Sequence, residues 1–110
     1  MDTGSPFLLV KGLETQLSSV LSALDIFSLP KAEQKLVSGL KRDIVDARLD
    51  IRDYELSETR SEQLKNAVAA HKRLEHIRKG ILAASEYDVF TAVDVAQLTA
   101  QLEQISENVR

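Results

Sequence analysis

Cysteine and tryptophan are absent from this chain of 110 residues, and only two prolines and four glycines punctuate it. Without cysteine there is no disulfide, no thiolate-held zinc or iron–sulfur site and no thiol nucleophile. Aromatics make up 5% of residues, so a core has to be assembled from Leu, Val, Ile and Ala. Long apolar runs are missing as well. The longest near the start, Phe7-Leu8-Leu9-Val10, is closed by Lys11, far short of a signal-peptide core or a membrane-spanning helix. The expectation is a soluble, cytoplasmic protein with no membrane partner. Neither sign of charge dominates: 14 Lys and Arg against 17 Asp and Glu leave a net charge of -3, which supplies no general attraction to nucleic acid. No low-complexity linker divides the chain, so residues 1–110 read as a single domain.

What the chain does contain is helical periodicity. Ser5-Pro6 reads as an N-cap followed by Pro at the first helical position. Val10, Leu13, Leu17, Val20, Leu24 and Phe27 then follow at gaps of 3, 4, 3, 4 and 3, which keeps one apolar stripe on one face. Ser28-Leu29-Pro30 ends that helix and opens the next. The second stripe is Val37, Leu40, Ile44, Ala47, Ile51 and Tyr54, and past Tyr54 the beat lands on polar residues. A third stripe, Leu64, Ala67, His71 and Leu74, resumes at Ile81. The interruption places a turn over 57–61, with Thr59 and Glu62 spaced as a capping box; one continuous helix through these residues is the alternative. Tyr87-Asp88-Val89-Phe90 forms the third turn and Thr91 with Asp94 a further capping box, followed by Val95, Leu98, Leu102, Ile105 and Val109.

Ile51 with Ala67, Ala47 with His71 and Ile44 with Leu74 share a midpoint at Thr59, and Leu74 with Leu102 shares one with Ile81 and Val95 at Asp88. Both midpoints fall in the expected turns. The fold expected is all-α, an antiparallel up-down-up-down four-helix bundle with helices over roughly 6–27, 30–57, 60–86 and 92–109.

Candidate chemistry is sparse. A di-metal bundle needs Glu-x-x-His pairs, and the residues three after Glu55, Glu62 and Glu75 are Glu58, Lys65 and Arg78. No metal and no other cofactor is expected. His71 lies on the third stripe and is expected to face Ala47, filling space beside small residues and hydrogen-bonding a neighbour. Asp43, Asp46, Asp50 and Asp53 form a carboxylate ridge at gaps of 3, 4 and 3, and Lys65, Lys72 and Lys79 form a basic ridge with Arg73 and Arg78 beside it. These are solvated faces with local pairs such as Glu75 to Lys79, or docking surfaces for a partner of opposite charge. The basic ridge lacks interleaved aromatics and a recognition-helix motif, so nucleic acid is a disfavoured partner. Val45, Leu49 and Leu56 fall outside the second stripe and give that helix a second apolar face, which serves either a wider core or a contact with another chain. Gly39 and Gly80 fall at one level of the central hairpin, near Phe27 and Phe90, where a shallow apolar notch is expected.

His76-Ile77-Arg78-Lys79-Gly80 resembles the phosphorylation motif of histidine-phosphotransfer domains, and the downstream Val95, Leu98 and Leu102-Glu103 look similar to that family too. The resemblance implies a cytoplasmic helical bundle in which an exposed His76 relays a phosphoryl group, Lys79 neutralises phosphate charge and Gly80 leaves room for a partner's acidic pocket. The chain departs from the family at Arg78, where Leu is usual, and at Ile81-Leu82, where small residues are usual. The function expected first is a non-enzymatic protein-protein interaction or adaptor module that self-associates as a homodimer through Val45, Leu49 and Leu56. Phosphoryl relay through His76 is the alternative, and weak nucleic-acid binding through Lys65, Lys72 and Lys79 the third.

Overall fold

Each of the four apolar stripes becomes a helix, and the stripes close on one another. A computed structural model describes residues 5–87 and 89–109. It contains α1 (Pro6–Ser22), α2 (Lys31–Glu55), α3 (Arg60–Ser85) and α4 (Ala92–Asn108), with a 3-10 turn over Ile26–Ser28 between the first two. Each helix packs on two others, α1 on α2 and α4, α3 on α2 and α4, and the α2–α3 pair is the most extensive. Polar cross-links give the directions. Ser5 and Phe7 reach Glu55 while Glu14 reaches Arg48; Asn66 reaches Asp53 while His76 reaches Asp43. Residue numbers rise on one helix as they fall on the next, so these neighbours run antiparallel. Leu13, Leu17, Leu21, Leu40, Ile51, Ile77, Ile81, Leu98 and Ile105 fill the centre.

The ends of the helices follow local chemistry. Thr91 and Asp94 form the expected capping box, each side chain holding the other's backbone N–H. Thr59 accepts the N–H of Glu62, but the Glu62 carboxylate takes the N–H of Glu58, one residue before the cap. The turn between α2 and α3 is real, and polar side chains build it. Ser57 Oγ donates to the Asp53 carbonyl at 2.8 Å, and Asn66 Nδ2 donates to Ser57 Oγ at 2.8 Å. Side chains that bond nearby backbone compete with the helix ladder, which is how α2 ends here without Gly or Pro. Ser5 is the N-cap of α1, yet its hydroxyl caps nothing. It donates to Glu55, whose carboxylate also accepts the Phe7 N–H at 3.2 Å; the last residue of α2 thus caps the first turn of α1. Tyr87, Val89 and Phe90 belong to the third turn; Asp88, its expected midpoint, lies outside the described residues.

Three expectations are corrected. First, α1 stops at Ser22 rather than 27, because the chain must reverse before Pro30. Phe27 then points away from the protein, 94% exposed, instead of closing the bundle end beside the buried Phe90. Second, the buried face of α3 is Ala67, Ala70, Leu74, Ile77, Ile81 and Ala84. Two stripes share Ala67, Leu74 and Ile81, one completed by Leu64 and His71, the other by Ala70, Ile77 and Ala84. The second is apolar throughout, so burying it strands no polar group. Leu64 is accordingly exposed, and His71 turns toward α4 instead of Ala47. Third, the space at Gly80 is occupied from within the chain: a Cβ there would stand 2.8 Å from Leu40 Cδ2.

Candidate functional site

Both histidines and most of the ion pairs among the described residues lie on two seams of α3. On the α2 seam, helical spacing brings Asp43, Asp46 and Asp50 along one edge of α2. They converge on a single cation, Arg73. Its Nε donates to Asp50 Oδ2 at 3.2 Å, and Nη1 lies 3.7 Å from Asp46 and 3.8 Å from Asp43. The fourth member of the ridge, Asp53, is exposed and contributes its carbonyl to the turn. Asp43 is the buried charged residue among those described. Its Oδ2 also accepts from His76 Nδ1 at 2.7 Å. Since a carboxylate only accepts, the proton sits on Nδ1 and a neutral ring carries its lone pair on Nε2. The His76 side chain is 69% exposed. Beside it runs a groove of about 320 Å³ whose walls include Lys35, Leu36, Gly39, Lys79 and Gly80. The expected notch between the two glycines is therefore present, but charged side chains edge it.

On the α4 seam, His71 Nε2 donates to the Val109 carbonyl at 2.6 Å, and Ser106 Oγ donates to Nδ1 at 3.0 Å. The acceptor-only carbonyl settles the tautomer. A hydroxyl donating to an imidazole that is oriented by a third group has the outline of an activated nucleophile. Its setting is wrong for acyl transfer. Ser106 lies in the last turn of α4, where the helix presents carbonyl oxygens and negative dipole, the opposite of what an oxyanion requires. The arrangement ties down the end of α4. Farther along the same seam Arg78 grips Glu75 through both Nε, at 3.1 Å, and Nη2. That hydrogen bond holds the Glu75 carboxyl below its ordinary range against a smaller opposing effect of desolvation, with the charges of Arg78 and Lys79 adding to it. The same contact raises Arg78. Glu75 thus pairs with Arg78, three residues on, rather than with Lys79.

No protein-family model, curated protein or solved structure matches this chain.

The remaining expected site residues fall into two groups. Lys65, Lys72 and Lys79 lie exposed on the outer side of α3 with no ion pair among the described residues. Val45, Leu49 and Leu56 lie on α2 at 39%, 48% and 66% exposure. At 100° per residue they share a narrow arc opposite the buried Leu40, Ala47, Ile51 and Tyr54. The arc ends at a shallow groove of about 350 Å³ lined by Phe7, Arg52, Glu55 and Leu56. Among the described residues no cluster of three or more His, Asp or Glu could hold a metal, and no helix is long and apolar enough to cross a membrane. The meeting of Arg73 with three carboxylates, and of Ser106 with His71, was not anticipated. The first has a trace in the sequence, an unpaired Arg opposite an evenly spaced acidic ridge; the second has none, since it depends on the rotation of α3.

Proposed function

We propose that this chain is a non-enzymatic interaction module that docks through the outward face of α2, with itself as its first partner. The observation that carries this reading is the row Val45, Leu49 and Leu56, which points directly away from the core and leads into the Phe7–Leu56 groove. Apolar residues aligned at helical spacing on solvent are the pattern of a helix face awaiting a partner. The acidic ridge expected to dock a cationic partner is instead engaged inside the chain, Asp43, Asp46 and Asp50 by Arg73 and Asp43 also by the His76 N–H, which favours the apolar row as the docking face. The same proposal holds the protein in the cytoplasm, where fractionation of its native source is expected to find it. Sedimentation equilibrium is the test: the wild type associates, and Leu49→Glu with Leu56→Glu is monomeric at unchanged stability. Wild type and variant both monomeric would overturn the reading.

A second reading is supported by His76. An exposed imidazole with Nδ1–H on a buried carboxylate and Nε2 toward solvent is arranged to accept a phosphoryl group. Nε2 would attack phosphorus of a receiver's aspartyl phosphate, the P–O bond breaking to return the carboxylate, while Asp43 stabilises the cationic ring. Lys79 and Lys35 edge the adjacent groove and would meet the phosphate oxygens. Gly80 does not serve the partner here, because Leu40 fills its space. Phosphorylated receiver domains should transfer an acid-labile label that His76→Gln abolishes; no label across a broad panel of receivers overturns the relay.

A further inference from the structure

The outward face of α2 is not uniform along its length, and the non-uniformity selects an occupant. Its N-terminal half carries a shallow groove lined by Lys31, Gln34, Lys35, Ser38, Gly39 and Arg42. Gly39 opens this groove, since even a Cβ there would meet nothing within 4 Å. Its middle carries Val45 and Leu49. Its C-terminal half carries Leu56, the most exposed of the three apolar residues at 66%, with Asp53 on the edge nearer α3. On that same edge, one half-helix earlier, stands Arg42. Neither Arg42 nor Asp53 forms an ion pair among the described residues through its side chain. The strip thus holds a depression and a cation at one end, a knob and an anion at the other, and apolar residues between.

We infer, building on the interaction reading above, that the occupant is a second copy of this chain, lying antiparallel along α2 on a two-fold axis beside Ala47 and Arg48. A two-fold perpendicular to a helix sets each edge against the same edge of its mate and reverses the order of residues. Three matches then share one centre. Leu56 of each protomer meets the Ser38–Gly39 depression of its partner. Arg42 of each meets its partner's Asp53. Val45 of each meets its partner's Leu49, which places four apolar side chains at the axis. On the opposite edge Lys41 comes beside its partner's Arg52 and Glu55, one like charge and one opposite, so their effects oppose each other and that edge contributes little. Residues 38 to 56 span about 28 Å of helix. One helix face of that length buries less than the roughly 1,200 Å² of a standard interface, so the dimer is weak and reversible.

The absence of cysteine makes the register directly testable on the full chain. Ser38→Cys mixed with Leu56→Cys is expected to give a disulfide-linked heterodimer under mild oxidation, while each alone gives little, because like positions lie about 25–30 Å apart across the axis. Arg42→Asp and Asp53→Arg should each raise the dimer dissociation constant in sedimentation equilibrium by about tenfold. Combining them should restore it to near the wild-type value. All these positions are exposed, and circular dichroism of each variant is the check that it is folded. If the wild type dimerises and Leu49→Glu abolishes the dimer, yet the mixed disulfide does not form and the double reversal does not rescue, the antiparallel register is overturned while the interaction face stands. If the wild type is monomeric throughout, both are overturned.

Discussion

Gly80 of α3 and Leu40 of α2 meet in close contact: a Cβ in place of the glycine hydrogen would stand 2.8 Å from Leu40 Cδ2. Leu40 is buried, so it has little freedom to yield. Gly80→Ala therefore sets overpacking of about 1–3 kcal/mol against a helix-propensity gain of about 1 kcal/mol, and a net loss of about 1 kcal/mol is expected in urea unfolding. Gly39→Ala, which fills open space, should gain up to about 1 kcal/mol. With Leu40→Ala in the background, Gly80→Ala should change sign. Equal gains at both glycines would show that the contact is loose.

Arg73 is the hub of the α2–α3 seam. Arg73→Met keeps the aliphatic stem and removes the charge, leaving Asp43, Asp46 and Asp50 facing one another. A charge-assisted hydrogen bond contributes about 1.5–3 kcal/mol, and partial exposure reduces that. The expected loss is about 1–2 kcal/mol, smaller in about 1 M salt, where screening softens the repulsion. A loss within the ordinary surface range of about 0.5 kcal/mol would remove Arg73 from this role.

His71 holds the end of α4 through Ser106 and Val109. His71→Ala is expected to cost about 1–3 kcal/mol for two hydrogen bonds. The more specific outcome is local. Amide exchange should accelerate over Ile105–Val109 before it does in α2; uniform acceleration along the chain would contradict a local tie.

Glu75 provides a pH-dependent check. Its carboxyl is lowered, first by the Arg78 hydrogen bond. A lowered folded-state value means that the stabilisation is complete above the unfolded-state pKa and is lost as pH falls through the folded-state one, below the ordinary Glu value of about 4.3. NMR titration of the Glu75 carboxyl should show the lowered midpoint, and Arg78→Ala should return it to the ordinary range. An unchanged midpoint in that variant would show that Arg78 is not the cause.

Much of this architecture is legible in residue order. The number of helices, the opening of α2 after Pro30, the Thr59 and Thr91 caps and the polar break at 57–61 all follow from chemistry acting within a few residues, whereas the end of α1 at Ser22 does not. The outward row Val45, Leu49 and Leu56 is legible for the same reason: once α2 is a helix, residues off its stripe face outward. The phase of α3 is less so: Leu74 and Ile81 belong to two stripes, the one through Ala70, Ile77 and Ala84 is the wholly apolar one, and its burial in the bundle decides between them. That rotation of one residue step carries His71 to Ser106 and aims Arg73 at the acidic edge of α2.

Residue order alone therefore settles that there are four amphipathic rods and where three of their bends lie, because periodicity and capping are local and additive. Packing settles which atoms meet: Leu40 over Gly80, Glu55 on the first turn of α1, three carboxylates on one guanidinium. Those contacts depend on how each rod is turned about its own axis, and that angle is set by the neighbours it touches.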